Sequence, residues 1–258
     1  MSIQDAISAF RIPSNARVDK RIPKKTVFDN AHLNASEKKL VFDFVEEMQW
    51  IAALKPSNIA VPAFNDNTRE YIEVVVIQAK LKSGNKNLKI AQAIHRAIPY
   101  PVVLVCHYGE SANVSFAHKR WSQGQSDKIV IEEVYIAKFG NMNDLDSSQV
   151  QFFNSLKLSE LPAENIFLMY QGMIDRVVAL DVAQITGAFE KPAVDGSFVA
   201  IQSELEIYEK LRMELNGLRR KATKEKQLNR RVELNLEIKR LENALDAARR
   251  ALPTNTSQ

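Results

Sequence analysis

The run "YIEVVVIQAKL" at residues 71–81 is too continuously apolar and β-branched to be one face of an exposed helix. It reads as a strand covered on both faces at its centre. A second run of this kind, "PYPVVLVCHYG", occupies 99–109. Between them "SGNKN" breaks the chain and "LKIAQAIHRAI" gives a helix with Leu88, Ala91, Ile94 and Ile98 inward. Strand, helix, strand in this order demands a right-handed crossover between neighbouring parallel strands. "ANVSFAHKRW" then alternates as a hairpin partner across "YGES", and "KIVIEEVYIAKF" supplies a third strand.

Flanking segments complete an α+β expectation: a small mixed sheet in the order helix, strand, helix, strand, strand, strand, with a helical layer. In "NASEKKLVFDFVEEMQWIAALKP", Leu40, Phe44, Val45, Met48, Ile51 and Ala52 recur at spacings of three and four. That predicts one helix, capped by Asn34 or Ser36 and ending before Pro56. "FRIP" and "KRIP" make residues 1–33 an extended basic arm, since each Pro biases its predecessor to extended backbone. The α+β core spans 34–140, and helices with a linker, "TGAFEKPAVDGS", fill 141–200. The stripe Ile166, Met169, Tyr170, Met173, Val177 and Leu180 there reads as core.

Residues 201–252 are helix-forming, followed by a tail at 253–258. Two apolar seams, one including Leu211, Leu215 and Leu218 and the other Leu234, Ile238, Leu241 and Leu245, do not share a frame. A coiled coil that slips register or a helical hairpin satisfies this, and the hairpin is preferred because the pattern lapses at "LRRKATKEKQLNRR" (218–231). The seams are the expected interface with a protein partner. Around the lapse stand Arg219, Arg220, Lys221, Lys224, Lys226, Arg230 and Arg231, a candidate phosphate-binding tip. The ends of the chain are basic and its middle mildly acidic, which suits an acidic or polyanionic partner. The simpler alternative is a solvated bend.

The chemistry-bearing candidates are few. One cysteine, Cys106, excludes an internal disulfide and any zinc site needing two thiolates. His95, His107 and His118 lie close in sequence and read as structural, with His107 and His118 pairing across the hairpin. Successive strand residues face opposite ways, so Cys106 and His107 do not ligate one ion. Phosphate-loop, GxSxG and zinc-protease motifs are absent from the sequence, and no cofactor or metal is expected. Lys119, Arg120 and Trp121 form a second nucleic-acid candidate, a guanidinium beside an indole. An enzyme reading joins Asp66 to Gln78 and Lys80, with Glu70 or Glu73 making up for Gln78. In restriction-type nucleases two carboxylates hold the magnesium that activates water while a lysine stabilises charge. No 18-residue apolar stretch and no signal-peptide pattern occurs, so the expectation is a cytoplasmic protein without membrane contact.

"IHRAIPYPVVLV" at 94–105, "SFAHKR" at 115–120, "MYQGMIDRVVAL" at 169–180 and "EKQLNRRVELNLEIKRLE" at 225–242 together resemble a bacterial family catalogued as domain of unknown function 4391. "RIPKK" at 21–25 and "WIAALKPSNIAVP" at 50–62 agree. Members tend to be encoded beside DNA methyltransferases and helicases in restriction-like or phage-defence loci. The resemblance implies an accessory role in such a system, with the methyltransferase or helicase as partner. The first expectation is therefore a non-enzymatic accessory subunit, docking through its C-terminal helices and touching DNA with its basic ends. The alternatives are the Asp66/Lys80 nuclease and a structural coiled-coil homo-oligomer.

Overall fold

In a computed structural model, residues 1–25, 33–124, 129–192 and 198–253 are described. Parts of the expected arm (26–32), linker (193–197) and tail (254–258) lie outside them. The chain divides into two compact units, Met1–Val177 and Val178–Gln258.

The first unit begins with helix α1 (Ile3–Ser8), closed by a reciprocal Ser2–Asp5 capping box, and strand β1 (Arg17–Arg21). The arm expected to be extended thus opens with a helix, and its β1 pairs antiparallel with β2 as the edge of the main sheet. Helix α2 (Ala35–Phe44) starts at an Asn34–Glu37 capping box, as the sequence implies. It ends at Phe44, well short of the expected stop before Pro56, and Val45–Leu54 is strand β2. Helix α3 (Pro56–Ile59) and the small hairpin of β3 (Phe64–Asn65) and β4 (Glu70–Tyr71) lead to β5 (Val74–Leu81). Helix α4 (Asn87–Ala97) crosses to β6 (Val102–Tyr108), then β7 (Ser111–Trp121) and β8 (Ile129–Phe139) follow.

The six-stranded sheet has the order β1-β2-β5-β6-β7-β8. Only β5 and β6 are parallel; every other pair is antiparallel. The crossover and the meander are as expected from the two apolar runs. One sheet face buries Val75, Ile77, Ala79, Leu81, Leu104 and Cys106 with Val41 of α2 and Ile90, Ala91 and Ile94 of α4. Leu88, expected inward, is exposed.

Helix α5 (Ser147–Ser155) brings Phe152 and Phe153 onto Phe139 of β8. Helix α6 (Ile166–Thr186) lays Tyr170 edge-on against Phe116 of β7. The Tyr170 hydroxyl donates to the Val102 carbonyl (2.7 Å) and accepts from the Ala117 N–H (2.9 Å), so these buried polar atoms are matched. A side-chain chain continues outward. Tyr71 Oη accepts from the Lys119 N–H (3.1 Å) and donates to His118 Nδ1 (2.6 Å). His118 Nε2 then donates to Gln171 Oε1 (2.8 Å), and Gln171 Nε2 donates to Asp175 Oδ1 (2.6 Å). This assigns a neutral imidazole. Burial holds His118 down at about 4 and pushes Asp175 up to about 6. His118 therefore serves α6 docking and does not pair with His107.

The second unit takes the end of α6 together with α7 (Phe198–Lys224) and α8 (Leu228–Ala251), which pack on each other. Three residues, 225–227, link them, and the long helical stretch is accordingly two helices and not one. No described helix is long and apolar enough to cross a membrane.

Candidate functional site

Strand β2 departs from regular alternation at its start. Val45 pairs with Leu81, and the next partners are Glu47 and Lys80, so one extra residue is inserted. Val45 and Met48 both enter the core although three apart, and Glu46 and Glu47 between them face the other side. This is a β-bulge, a device that re-aims side chains and is enriched beside active sites. It sets two consecutive carboxylates opposite Lys80.

Lys80 Nζ donates to Glu46 Oε1 at 2.8 Å. The pair raises the lysine above its ordinary value and lowers Glu46 below its own. Glu47 lies 3.7 Å from Arg21 Nε and accepts from Gln49 Nε2 at 3.4 Å. Cross-strand register puts Gln49 against Gln78, and His107 of the parallel neighbour β6 beside Lys80. Gln78 Nε2 donates to His107 Nε2 (3.1 Å), which fixes the imidazole proton on Nδ1 and leaves Gln78 Oε1 open as an acceptor. Burial and the Lys80 charge hold His107 below its ordinary value, so it is neutral at pH 7.

The cluster sits at the carboxyl ends of β5 and β6, the sheet's one parallel pair, the end where ligands of open α/β sheets bind. Arg21, Lys24, Lys80 and Lys82 surround the two carboxylates, a net positive rim suited to phosphate. Among the described residues no group of three or more His, Cys, Asp or Glu side chains is placed to hold a metal. Two carboxylates and one amide oxygen are the donors on hand, which is a magnesium-like set, since Mg²⁺ keeps waters and takes one or two carboxylates plus substrate phosphate.

The acids expected beside Lys80 stand elsewhere. Asp66 Oδ1 accepts from Thr68 N, Thr68 Oγ1 and Arg69 N at 2.7–2.8 Å, closing the β3–β4 turn, and these bonds lower its pKa. Glu73 is buried against Lys55 at 3.1 Å. Glu70 lines a different cleft. Only Gln78 and Lys80 of the expected set share a site.

That cleft, about 210 Å³, is lined by Glu70, Ile72, Pro99, Tyr100, Lys119, Arg120, Trp121 and Ile129. It brings the expected Lys119–Arg120–Trp121 cluster together but changes the role of one member. Lys119 is only 3% exposed, and its ammonium donates to the carbonyls of His95 (2.7 Å) and Ile98, the last turn of α4. It serves as a C-terminal cap, the place where a cation suits the helix dipole. Burial moves it well below its ordinary value. Arg120 lies 3.6 Å from Glu132, which Arg69 also engages at 2.9 Å.

In the second unit all seven expected cations flank the bend and are exposed. They are not alone: Arg219 pairs with Glu242 at 2.7 Å, and Lys221, Lys224 and Arg230 share a surface depression with Glu225, Glu233 and Glu237. None of the residues expected to meet a partner is fully exposed. Leu215 and Leu218 are buried, and Leu211, Leu234, Ile238, Leu241 and Leu245 are half-buried. A separate stripe, Leu228, Val232 and Leu236 at spacings of four, is exposed. Cys106 is fully buried, which pushes its thiol up to about 12 and makes it inert.

A family model described as Domain of unknown function (DUF4391) matches residues 10–245. The chain belongs to the DUF4391 family. The match takes in the bulge, Lys80, the cleft and most of the helical pair, so all three sites are parts of the DUF4391 region. No curated protein and no solved structure matches the chain.

Proposed function

We propose that the chain hydrolyses nucleic-acid phosphodiesters with a divalent cation, as a subunit of a bacterial restriction-like or phage-defence system. The bulge that turns Glu46 and Glu47 together toward Lys80 carries this reading. The genomic setting implied by the family resemblance supports the choice of substrate. Glu46, Glu47 and Gln78 Oε1 would hold a cation of the magnesium class, and Lys80 would steady the charge that builds on the phosphoryl oxygens. Water attacks phosphorus, the new P–O bond forms, and the ester P–O bond opposite breaks. One water proton leaves to solvent and the departing alkoxide takes one up, giving a phosphomonoester and an alcohol with the cation unchanged.

Incubation of the purified chain with labelled single- and double-stranded DNA and Mg²⁺ or Mn²⁺ tests this. Glu46→Gln and Lys80→Ala are expected to cost at least a hundredfold in rate, whereas Asp66→Asn leaves it within threefold. Cleavage lost with Asp66→Asn and kept with Glu46→Gln would overturn the assignment.

The expected non-enzymatic accessory role is the second reading, favoured by the exposed cations at the helical bend. In it the bend binds phosphates and the Leu228–Val232–Leu236 stripe meets the methyltransferase or helicase. Its mark is a salt dependence of DNA binding with a log-log slope of about −4 to −6 that flattens when the seven cations become Gln. An unchanged slope removes the bend from DNA binding.

A further inference from the structure

We infer that the cleft at the end of β7 is a pocket for one unstacked, amino-bearing nucleobase, held by Tyr100 and Trp121 with Glu70 accepting from its amino group. The inference rests on the nucleic-acid reading above and adds a base contact at the opposite end of β6 and β7 from Lys80 and His107.

Size sets the first limit. At about 210 Å³ the cleft falls below the ~300–1,000 Å³ of drug-sized pockets, which leaves room for one small planar ring system. Its walls supply the stacking. Tyr100 is 37% exposed, Trp121 is half-buried, and among the described residues no ring contact joins either of them to another aromatic. Two aromatic faces are thus presented to whatever enters, the means by which proteins hold unstacked bases.

Rigidity comes from the strand end. The Trp121 N–H donates to the Thr68 carbonyl at 2.8 Å, Trp121 pairs in register with Ile129, and Lys119 beneath is tied to the last turn of α4. The pocket therefore needs little ordering when a ligand arrives. The polar groups select the ligand. The Glu70 carboxylate has no hydrogen bond or ion pair among the described residues, and an ionised carboxylate only accepts. It pairs with an exocyclic amino group as Glu does with cytosine N4, and guanine offers two adjacent N–H donors. Uracil sets carbonyl oxygens against it. Arg120, which shares Glu132 with Arg69, sets a guanidinium in the wall of the cleft, the kind of group that meets a sugar-linked phosphate.

Calorimetric titration of the full chain in EDTA with GMP, CMP, AMP and UMP tests the pocket without the cation the hydrolysis needs, so the two readings fail separately. GMP is expected to bind tightest and UMP at least tenfold more weakly. Tyr100→Ala and Trp121→Ala each weaken GMP about tenfold, the loss of one stacking face. Glu70→Gln brings UMP to within about threefold of GMP while circular dichroism stays unchanged. A four-nucleotide single strand that binds more tightly than GMP identifies a strand as the source of the base, and one that binds no better identifies a free nucleotide. No saturable heat from any nucleotide at millimolar concentration, or equal affinity for GMP and UMP in the unaltered protein, would overturn the inference.

Discussion

Replacing Asp175 by Asn should stabilise the first unit at neutral pH and not at pH 4. Asp175 ends the chain that runs from Tyr71 through His118 and Gln171, and burial pushes its carboxyl up to about 6 from an ordinary 3.8. A carboxyl whose folded value is raised contributes most when protonated. Its contribution is full below the unfolded value and is lost as pH rises through about 6. Each tenfold rise in proton affinity is worth about 1.36 kcal/mol, so a carboxyl moved from 3.8 to about 6 forfeits roughly 3 kcal/mol by pH 7, an upper figure for a group with some water contact. Asn keeps the oxygen that accepts from Gln171 and carries no charge. The stability difference between variant and parent is therefore near zero at pH 4 and grows to about 2–3 kcal/mol in favour of the variant by pH 7.

His118 acts in the opposite sense. Held at about 4, it costs stability as pH falls from 6.5 toward 4, and fully buried His95 adds to that trend. The parent curve alone is therefore a poor reporter, while the difference between the two proteins isolates Asp175. Urea unfolding followed by tryptophan fluorescence at several pH values between 4 and 8 measures it, because Trp50 and Trp121 both lie in the first unit. A difference independent of pH, or a variant less stable at pH 7, would refute the argument.

Two further outcomes follow from the same packing. Tyr170→Phe removes a buried hydroxyl that serves the Val102 carbonyl and the Ala117 N–H, and should cost about 1–3 kcal/mol by the same urea assay. Gly172→Ala sets helix propensity, which favours Ala by about 0.5–1 kcal/mol, against a Cβ placed 2.6 Å from Pro162 Cδ. The clash wins, so this helix-favouring change should lower stability by roughly 1–2 kcal/mol.

The parts of the fold legible in the sequence are those with an uninterrupted period. Val74–Ile77 and Val102–Val105 announce buried strands, and "LKIAQAIHRAI" between them dictates the crossover. Strand β2 is hidden because bulges between Val45 and Glu47 and between Trp50 and Ala52 convert a period of two into steps of three. Val45, Met48 and Ile51 then mimic a helical stripe. The same disguise conceals the site. With 45–54 read as helix, the acids available to pair with Lys80 are those that precede its strand, Asp66, Glu70 and Glu73, whereas antiparallel pairing of β2 with β5 delivers Glu46 and Glu47. Lys119 misleads for another reason, since a basic residue two positions before a strand end gives no sign that its amine caps a distant helix. In the second unit the lapse in the apolar seams does mark the bend, and the acids that share it come from the link and the early turns of α8.

The claim that Glu46 and Glu47 hold a divalent cation is tested most directly by titrating Mn²⁺ into the full chain, with free metal followed by electron paramagnetic resonance, beside the Glu46→Gln, Glu47→Gln double variant. One saturable site in the parent, weakened at least tenfold in the variant with the fold intact, is the predicted result. No saturable site in the parent, or one that survives both substitutions, would contradict the account.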